Sequence, residues 1–487
     1  MTTSSGEIII REYSEPPRSK RAQYRQFALV DNQILSRDED TSFHLRSTVI
    51  TSILSLSRSL QDVFLPVGFP QTVGPGYREY QMYDSLQGIC SYLRGVVSSA
   101  HVLHAAGVGN REATAWSAAL TWALKDGIGM MGGLVFSSWA APLFDSYVKE
   151  FRLFADLINN LGLTLDMLSP LVPSHLFLWV AAASTLCKTM CGMSAGATKG
   201  SITQHFAVAG NLADLLAKEG TQETLVSLIG MTFGIALARY FQNLEEAVNT
   251  DPESAESAWK IQWIVFGMLT CLHVWANYRA VKRLRLRSLN RQRAERVMRP
   301  LVERLCNDQP VPEKRISIMK ILDLIVGPQD LQESLAVFTY HMLWPSRWSR
   351  LILGCPLTQL VTSDIGTGQA KDVLNLFRDS DYVLWPSRNG QILVTLLARA
   401  DNETELRAFF HALLIQELVS VRTTSGDTVF DIVTRTYMWV QWFFDNKDGE
   451  SEITLYSRLK EKGWDIQERV YIGFTKSRSS WINTKSE

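Results

Sequence analysis

A lysine set among glycines is the first place where this chain could do chemistry. The segment Gly192-Met-Ser-Ala-Gly196-Ala-Thr-Lys199-Gly200-Ser201 joins small residues to a cation, as a phosphate-wrapping loop would. Phosphate loops close with Gly-Lys-Ser/Thr, so that backbone amides and the lysine embrace the ligand together. Here Lys199 precedes Gly200 and no strong strand leads in, so close-packed helix accounts better for the glycines. Gly107-Val-Gly109-Asn110 also misses the dinucleotide fingerprint. Glu112 stands where a glycine or alanine would let helix and strand pack closely.

Charged residues beside apolar stretches form a second set. Lys218 follows Asp214 by four residues, so the two share a helix face and can pair. Glu219 comes next, and Lys125 neighbours Asp126 at the edge of a charge-free stretch. Charges within a bilayer are costly and mark functional paths. Lys125, Asp126, Asp214, Lys218 and Glu219 are therefore the candidates for a polar pathway or ligand site, with structural ion pairing or helix-end anchoring as the plainer alternative. His101 and His104 share a helix face, but with no third ligand they read as ordinary helix histidines and no metal site is assigned. No Ser-His-Asp, Cys-His or paired-carboxylate arrangement has motif support, so no catalytic residue is assigned and an enzyme is the weaker expectation.

The elements that would position these residues are mainly helical. Apolar residues recur at helical intervals from Ser42 to Leu65, and Pro66, Gly68, Pro70, Gly74, Pro75 and Gly76 then force a turn-rich connector. Four stretches carry no Asp, Glu, Lys or Arg: 127–144, 167–187, 224–238 and 261–278. A spanning helix needs about 20 mainly apolar residues, so these are candidate membrane helices. Glycine pairs at four-residue spacing accompany them (Gly129/Gly133, Gly192/Gly196, Gly196/Gly200 and Gly230/Gly234), which lets helix backbones approach closely. A large soluble helical domain is the alternative.

Flanking charge sets an orientation. Arg279 to Arg299 holds nine Lys or Arg against Glu295 alone, whereas residues 145–166 and 239–260 are acid-rich. Four spans then place both acidic loops on one side. The basic segment and both termini fall on the other, cytosolic or matrix, side. Arg279, Lys282, Arg283, Arg285 and Arg287 become candidates for contact with lipid headgroups. The expected location is the membrane of the cell or of an intracellular organelle, with membrane lipid as a partner.

Composition narrows the remaining classes. Equal counts of 49 basic and 49 acidic residues disfavour nucleic acid as a partner. Cys90, Cys187, Cys191, Cys271, Cys306 and Cys355 contain no Cys-x-x-Cys and read as free thiols. Residues 1–41 read as a mobile tail without a secretory signal. Residues 42–299 read as a helical core domain. Residues 312–487 read as a small α+β domain, with a strand pair at Arg378–Pro386 and Gly390–Ala398, a helix over Glu403–Val421 and a closing strand at Gln467–Thr475.

The order of motifs from Phe64-Leu-Pro-Val-Gly-Phe-Pro70 through Tyr77, Tyr80 and Trp122-x-x-Lys125-Asp126-Gly127-x-Gly129 resembles the root UV-B sensitive family, also called the vitamin B6 photoprotection and homoeostasis domain. The match continues through Phe151-Arg152-Leu153-x-Ala155-Asp156, His205-Phe206-Ala207, Asn211-Leu212-Ala213-Asp214, Asn277-Tyr278-Arg279 and Leu289-Asn290-Arg291-x-Arg293. The resemblance implies a role in vitamin B6 homoeostasis or light-stress tolerance, without a settled molecular activity. It also brings in pyridoxal phosphate, whose aldehyde can form a Schiff base with a desolvated lysine, and Lys125, Lys188, Lys199 and Lys218 are the lysines placed for it. No cofactor site is identified from the residues themselves. The expectation is a multi-pass membrane carrier or transport-associated protein. A non-catalytic scaffold, and an enzyme or binder of a vitamin B6 form, are the alternatives. Another family member or a second copy of the chain is a possible partner.

Overall fold

The computed structural model describes residues 8–13, 24–30, 33–37, 61–106, 115–248, 252–307, 320–331, 351–363, 367–387, 389–421, 428–445, 454–473 and 479. The chain divides into two compact units, Met1–Val67 and Gly68–Glu487. In the first, β1 (Ile8–Tyr13), β2 (Tyr24–Val30) and β3 (Gln33–Arg37) form an antiparallel meander in the order β1-β2-β3. The register pairs Ile8 with Leu29 and Val30 with Gln33. Within the segment 1–41 expected to be a mobile tail, residues 8–13, 24–30 and 33–37 are thus paired strands, and the others lie outside the described residues. Ile8-Ile9-Ile10 and the run Tyr24–Val30 are rich in strand-forming residues, and this outweighs the nearby Pro16 and Pro17. Of the helix expected over Ser42–Leu65, only residues 61–64 fall among the described residues and are helical.

The second unit opens with six long helices: α1 (Tyr77–Ala105), α2 (Ala115–Ala140), α3 (Val148–Leu168), α4 (Phe177–Phe206), α5 (Leu212–Val248) and α6 (Pro252–Arg283). α1 packs along α3, α5 and α6, while α4 packs along α2 and α3. The turn expected around Gly74-Pro75-Gly76 starts α1. Gly76 has φ +84°, and a Cβ there would lie 3.2 Å from the Arg283 carbonyl, so glycine is required both for conformation and for space. Tyr77, Tyr80, Val148, Ile202, Phe206, Leu215, Ala280 and Leu284 bury one another. The starts of α1, α3 and α5 and the ends of α4 and α6 therefore lie at one end of the bundle.

Among the described residues, two stretches, Ser174–Phe206 and Leu212–Leu244, are long and apolar enough to cross a membrane by length and composition, rather than four. Freedom from charge is not the same as apolarity. Stretch 127–144 is diluted by glycine and serine, and Pro142 turns its end into a 3-10 helix at Ala141–Leu143. Stretch 261–278 carries Gln262, His273 and Asn277, all buried. Pro170 and Pro173 break 167–187 into 3-10 turns at Ser169–Leu171 and Ser174–Leu176, so the apolar helix begins later and runs on through Lys188 and Lys199. The expected acidic loop 145–166 is mostly the helix α3, which buries Glu150, Asp156 and Asp166, so it cannot serve as a solvated topological marker.

The small-residue pairs divide in two. A Cβ on Gly129 or Gly133 would lie 2.6 Å from Thr185 Cγ2 or Thr189 Cγ2 of α4, and one on Gly230 would lie 2.8 Å from Tyr92 Cγ of α1. These are close helix contacts. Gly192, Gly196 and Gly200 have nothing within 4 Å of such a Cβ, so helix packing does not explain them.

The α+β part begins with β4 (Ser288–Asn290) and α7 (Arg291–Asn307), then β5 (Leu351–Leu353), α8 (Leu357–Ser363), α9 (Thr367–Leu376), β6 (Tyr382–Pro386), β7 (Ile392–Leu396), α10 (Asn402–Val421), α11 (Val429–Asp445), α12 (Leu455–Glu461) and β8 (Asp465–Tyr471). One sheet runs β5-β7-β6, with β5 parallel and β6 antiparallel to β7. The second pairs β4 with β8 in parallel. β7 is buried throughout, which is why Ile392–Leu396 reads as an apolar run broken only by Thr395, whose hydroxyl donates to the Cys355 carbonyl at 2.9 Å. α10 buries Leu406, Phe409, Phe410, Leu413, Leu414 and Ile415 and is the central helix of this core. α7 joins the same core through Ala294, Val297, Met298 and Leu301, so packing changes partner before Leu289 rather than between 299 and 312.

Candidate functional site

The interior of the bundle is polar along one seam. On α1, Asp84, Gln87, Ser91 and Arg94 recur at helical spacing and present one face. On α3, Arg152, Asp156, Asn159 and Asn160 do the same. Arg152 Nη2 donates to Asp84 Oδ1 at 2.5 Å. Gln87 Nε2 donates to Asp156 Oδ1 at 3.0 Å and stands 3.0 Å from His273 Nε2 of α6. Asn159 Nδ2 donates to Ser91 Oγ at 3.4 Å, and the fully buried Arg94 donates to Asn160 Oδ1. A guanidinium and a carboxylate this deep in a helical bundle must each be hydrogen-bonded, since unpaired burial of either costs several kcal/mol, on the order of 3–5 when a partner is removed.

Beside this seam lies a cavity of 310 Å³ between α1, α3, α4 and α5. Its charged lining is Asp84, Arg152, Lys199, Glu219 and Glu223, with Tyr80, Tyr92, Gln81 and Thr203 completing the polar wall. Lys199 Nζ pairs with Glu223 Oε1 at 2.6 Å, linking α4 to α5. Glu219 is buried; its Oε2 accepts from Thr203 Oγ1 at 2.7 Å and its Oε1 from Gln81 Nε2 at 3.2 Å. The two bases are thus each joined to a carboxylate, while Glu219 is held by neutral donors. Such a wall can bind and orient a small polar molecule through hydrogen bonds and charge.

Of the five residues expected to form a polar path, the cavity takes Glu219 alone. Lys125 and Asp126 pair with each other at 3.0 Å on α2, with Lys125 lying 4.2 Å over the Trp122 ring. Asp214 and Lys218 sit in the first turns of α5, outside the cavity wall. Lys188 pairs with the buried Asp166 across α4 and α3. Asp84, Gln87, Arg152 and Asp156 were missed as site residues. The Arg152/Asp156 spacing and the polar stripe on α1 were both visible, but their pairing spans some 68 residues of chain.

The basic stretch that ends α6 and continues past it is divided. Arg279 donates to Tyr83 Oη at 3.1 Å and stacks near Tyr83 and Trp275, and Arg285 donates to the Leu331 carbonyl at 3.3 Å. Lys282, Arg283 and Arg287 are exposed. The following Leu289-Asn290-Arg291-x-Arg293 is a joint: Asn290 Nδ2 donates to the Ser146 carbonyl at 2.6 Å while its Oδ1 accepts from the Arg293 amide at 2.8 Å. Arg293 Nη1 in turn donates to the Ser288 carbonyl and hydroxyl at 2.7 and 2.8 Å. His101 Nδ1 is 3.0 Å from the Val97 carbonyl and its ring packs on Trp259, a structural role.

Residues 51–304 match the family model described as the vitamin B6 photo-protection and homoeostasis domain, and residues 342–470 match the root UVB sensitive protein C-terminal model. The chain is 30% identical to root UVB sensitive 3 of Arabidopsis thaliana over 435 residues, 88% of each protein. It is 39% identical to RUS family member 1 of Dictyostelium discoideum over 235 residues, 48% of this chain and 42% of that relative. It is 27% identical to root UVB sensitive 2, chloroplastic, of Arabidopsis thaliana over 70% of this chain and 80% of the relative. No solved structure matches. With both domain models matched in order, and one relative aligned along nearly the whole chain, the protein belongs to the root UV-B sensitive family.

Proposed function

We propose that the protein is a membrane-inserted carrier of the vitamin B6 homoeostasis system, whose six-helix bundle holds its ligand in the cavity between Arg152 and Glu219. The observation that carries this reading is the inside-out distribution of polarity. Gln87, Arg94, Arg152, Asp156 and His273 turn inward, while Leu134, Val135, Trp179 and Phe233 are 69%, 73%, 64% and 60% exposed on the outside of the bundle. Apolar surface on this scale is unusual for a soluble monomer and fits lipid. Each of the six helices has at least 21 residues, against the roughly 20 needed to cross a bilayer. Those that fail a composition test for spanning do so partly through inward residues such as Asp84, Arg152, Asp156 and His273. The chain enters α1 and leaves α6 at one end of the bundle, where Lys282, Arg283 and Arg287 are exposed. The positive-inside rule supports a cytosolic or matrix position for that end, with these three bases at anionic headgroups.

Pyridoxal phosphate does not fit this cavity. Three carboxylates face two bases, and both bases are already paired, so a phosphate dianion finds no uncommitted positive charge in the wall. Lys199, the lysine in the wall, is held by Glu223 in an ion pair and is partly exposed rather than desolvated.

The test is flux. The full chain in lipid vesicles should carry a labelled vitamin B6 form across the bilayer. Ser227→Trp, which fills the cavity, should abolish that flux. Vesicles that hold the protein yet show no protein-dependent flux of any vitamin B6 form contradict the carrier. The exposed apolar belt also suits a scaffold covered by another protein, in which case Ser227→Trp is silent.

A further inference from the structure

We infer that the cavity selects an unphosphorylated, amine-bearing ligand, with Glu219 as the anchor for its ammonium group; within vitamin B6 this is pyridoxamine. The inference rests on the carrier reading and adds the charge of the cargo. Three observations converge on it. Asp84, Glu219 and Glu223 outnumber Arg152 and Lys199 in the wall, and the Arg152–Asp84 and Lys199–Glu223 pairs cancel each other out. The remaining carboxylate, Glu219, is buried and meets neutral donors, Gln81 and Thr203, so among the described residues no base forms an ion pair with it. A ligand ammonium supplies the countercharge that the wall omits, and a charge-assisted hydrogen bond to a carboxylate is about twice as strong as a neutral one.

The rest of the wall suits the body of such a molecule. Tyr80 and Tyr92 offer aromatic faces, and Gln81, Gln87 and Thr203 offer donors and acceptors for ring hydroxyls. A cavity of 310 Å³ lies at the small end of ligand pockets, about 300–1,000 Å³, and is large enough for a single substituted ring. Lys199 makes its ion pair with Glu223 and acts on Glu219 only through its field, with no ion pair between them.

The experiment is calorimetric titration of the full chain in lipid nanodiscs with pyridoxamine, pyridoxine, pyridoxamine phosphate and pyridoxal phosphate. Pyridoxamine should bind at least about tenfold more tightly than either phosphorylated form. Glu219→Gln should weaken pyridoxamine about tenfold while leaving pyridoxine nearly unchanged, and Glu219→Asp should keep the preference. Should Glu219→Gln fail to fold, the ranking of the four ligands on the unaltered chain decides alone. Equal or tighter binding of a phosphorylated form overturns the inference, as does binding of none of the four. Vesicle flux is read separately, so a carrier that moves phosphorylated cargo would keep the carrier reading and sink this one.

Discussion

Gln87 Nε2 stands 3.0 Å from Asp156 Oδ1, binding the middle of α1 to the middle of α3 inside the bundle. The same nitrogen stands 3.0 Å from His273 Nε2, so three helices meet at one amide. Asp84 and Arg152 tie the same two helices on one side of this point, and Arg94 and Asn160 tie them on the other. The helices are thus registered by polar side chains at their middle, while Tyr77 and Tyr80 share an apolar cluster with Val148, and Val97 shares one with Leu163 and Met167. Such pairing tolerates no sliding along the axis, because a shift of one turn would leave each partner buried and unmet.

Gln87→Leu should therefore destabilise the bundle by about 1–3 kcal/mol, the cost of a buried acceptor left without its donor. Thermal unfolding of the detergent-solubilised chain checks it. A melting temperature equal to that of the unaltered protein would remove Gln87 from the seam.

Arg152→Met should cost more, about 3–5 kcal/mol, because Asp84 is then left as an uncompensated charge. Adding Asp84→Leu to it should restore much of the loss. A double-mutant cycle measures the coupling, and additive effects would mean that the pair contributes no interaction of its own.

The glycines divide into two groups with opposite expectations. Gly133→Val places methyl groups against Thr189 and should cost about 1–3 kcal/mol by overpacking α2 on α4. Gly196→Ala meets nothing within 4 Å in the interior of α4 and should stabilise by about 0.5–1 kcal/mol. The two melting temperatures should move in opposite directions.

A pH effect is expected in the α+β part, outside the bundle. Burial acts to raise the Asp401 carboxyl, but the Thr404 amide and hydroxyl, at 2.9 and 2.8 Å, outweigh it and hold the group below its ordinary value. A lowered folded-state pKa means that the ionised cap stabilises above the ordinary carboxylate range and is lost as pH falls through the folded value. Asp401→Ala should then cost about 1 kcal/mol at neutral pH, as for other N-caps, and nothing in strong acid. Denaturant midpoints at the two pH values decide it.

Elements whose cause is local were legible in the sequence. The turn at Gly74-Pro75-Gly76 follows from what proline and glycine permit, and β6, β7 and α10 follow from their apolar runs. The seam was not legible as a site, because Asp84 and Arg152 become partners only when α1 and α3 lie together. Arg152 and Asp156 were noticed as a motif and Lys199 as a lysine, without anything to join them. Among the described residues, two of the four expected stretches overlap helices apolar enough to span and two do not, for a different reason. Counting charges ignored that Gln262, His273 and Asn277 are polar, and that Pro170 and Pro173 end a helix.

The claim beneath all of this is that the apolar outside of the bundle faces lipid. Alkaline carbonate extraction of membranes from cells that express the full chain tests it most directly. The account predicts retention in the pellet, together with a known spanning protein. Release into the supernatant would contradict it, and would make the surface carrying Trp179 and Phe233 an interface with another protein.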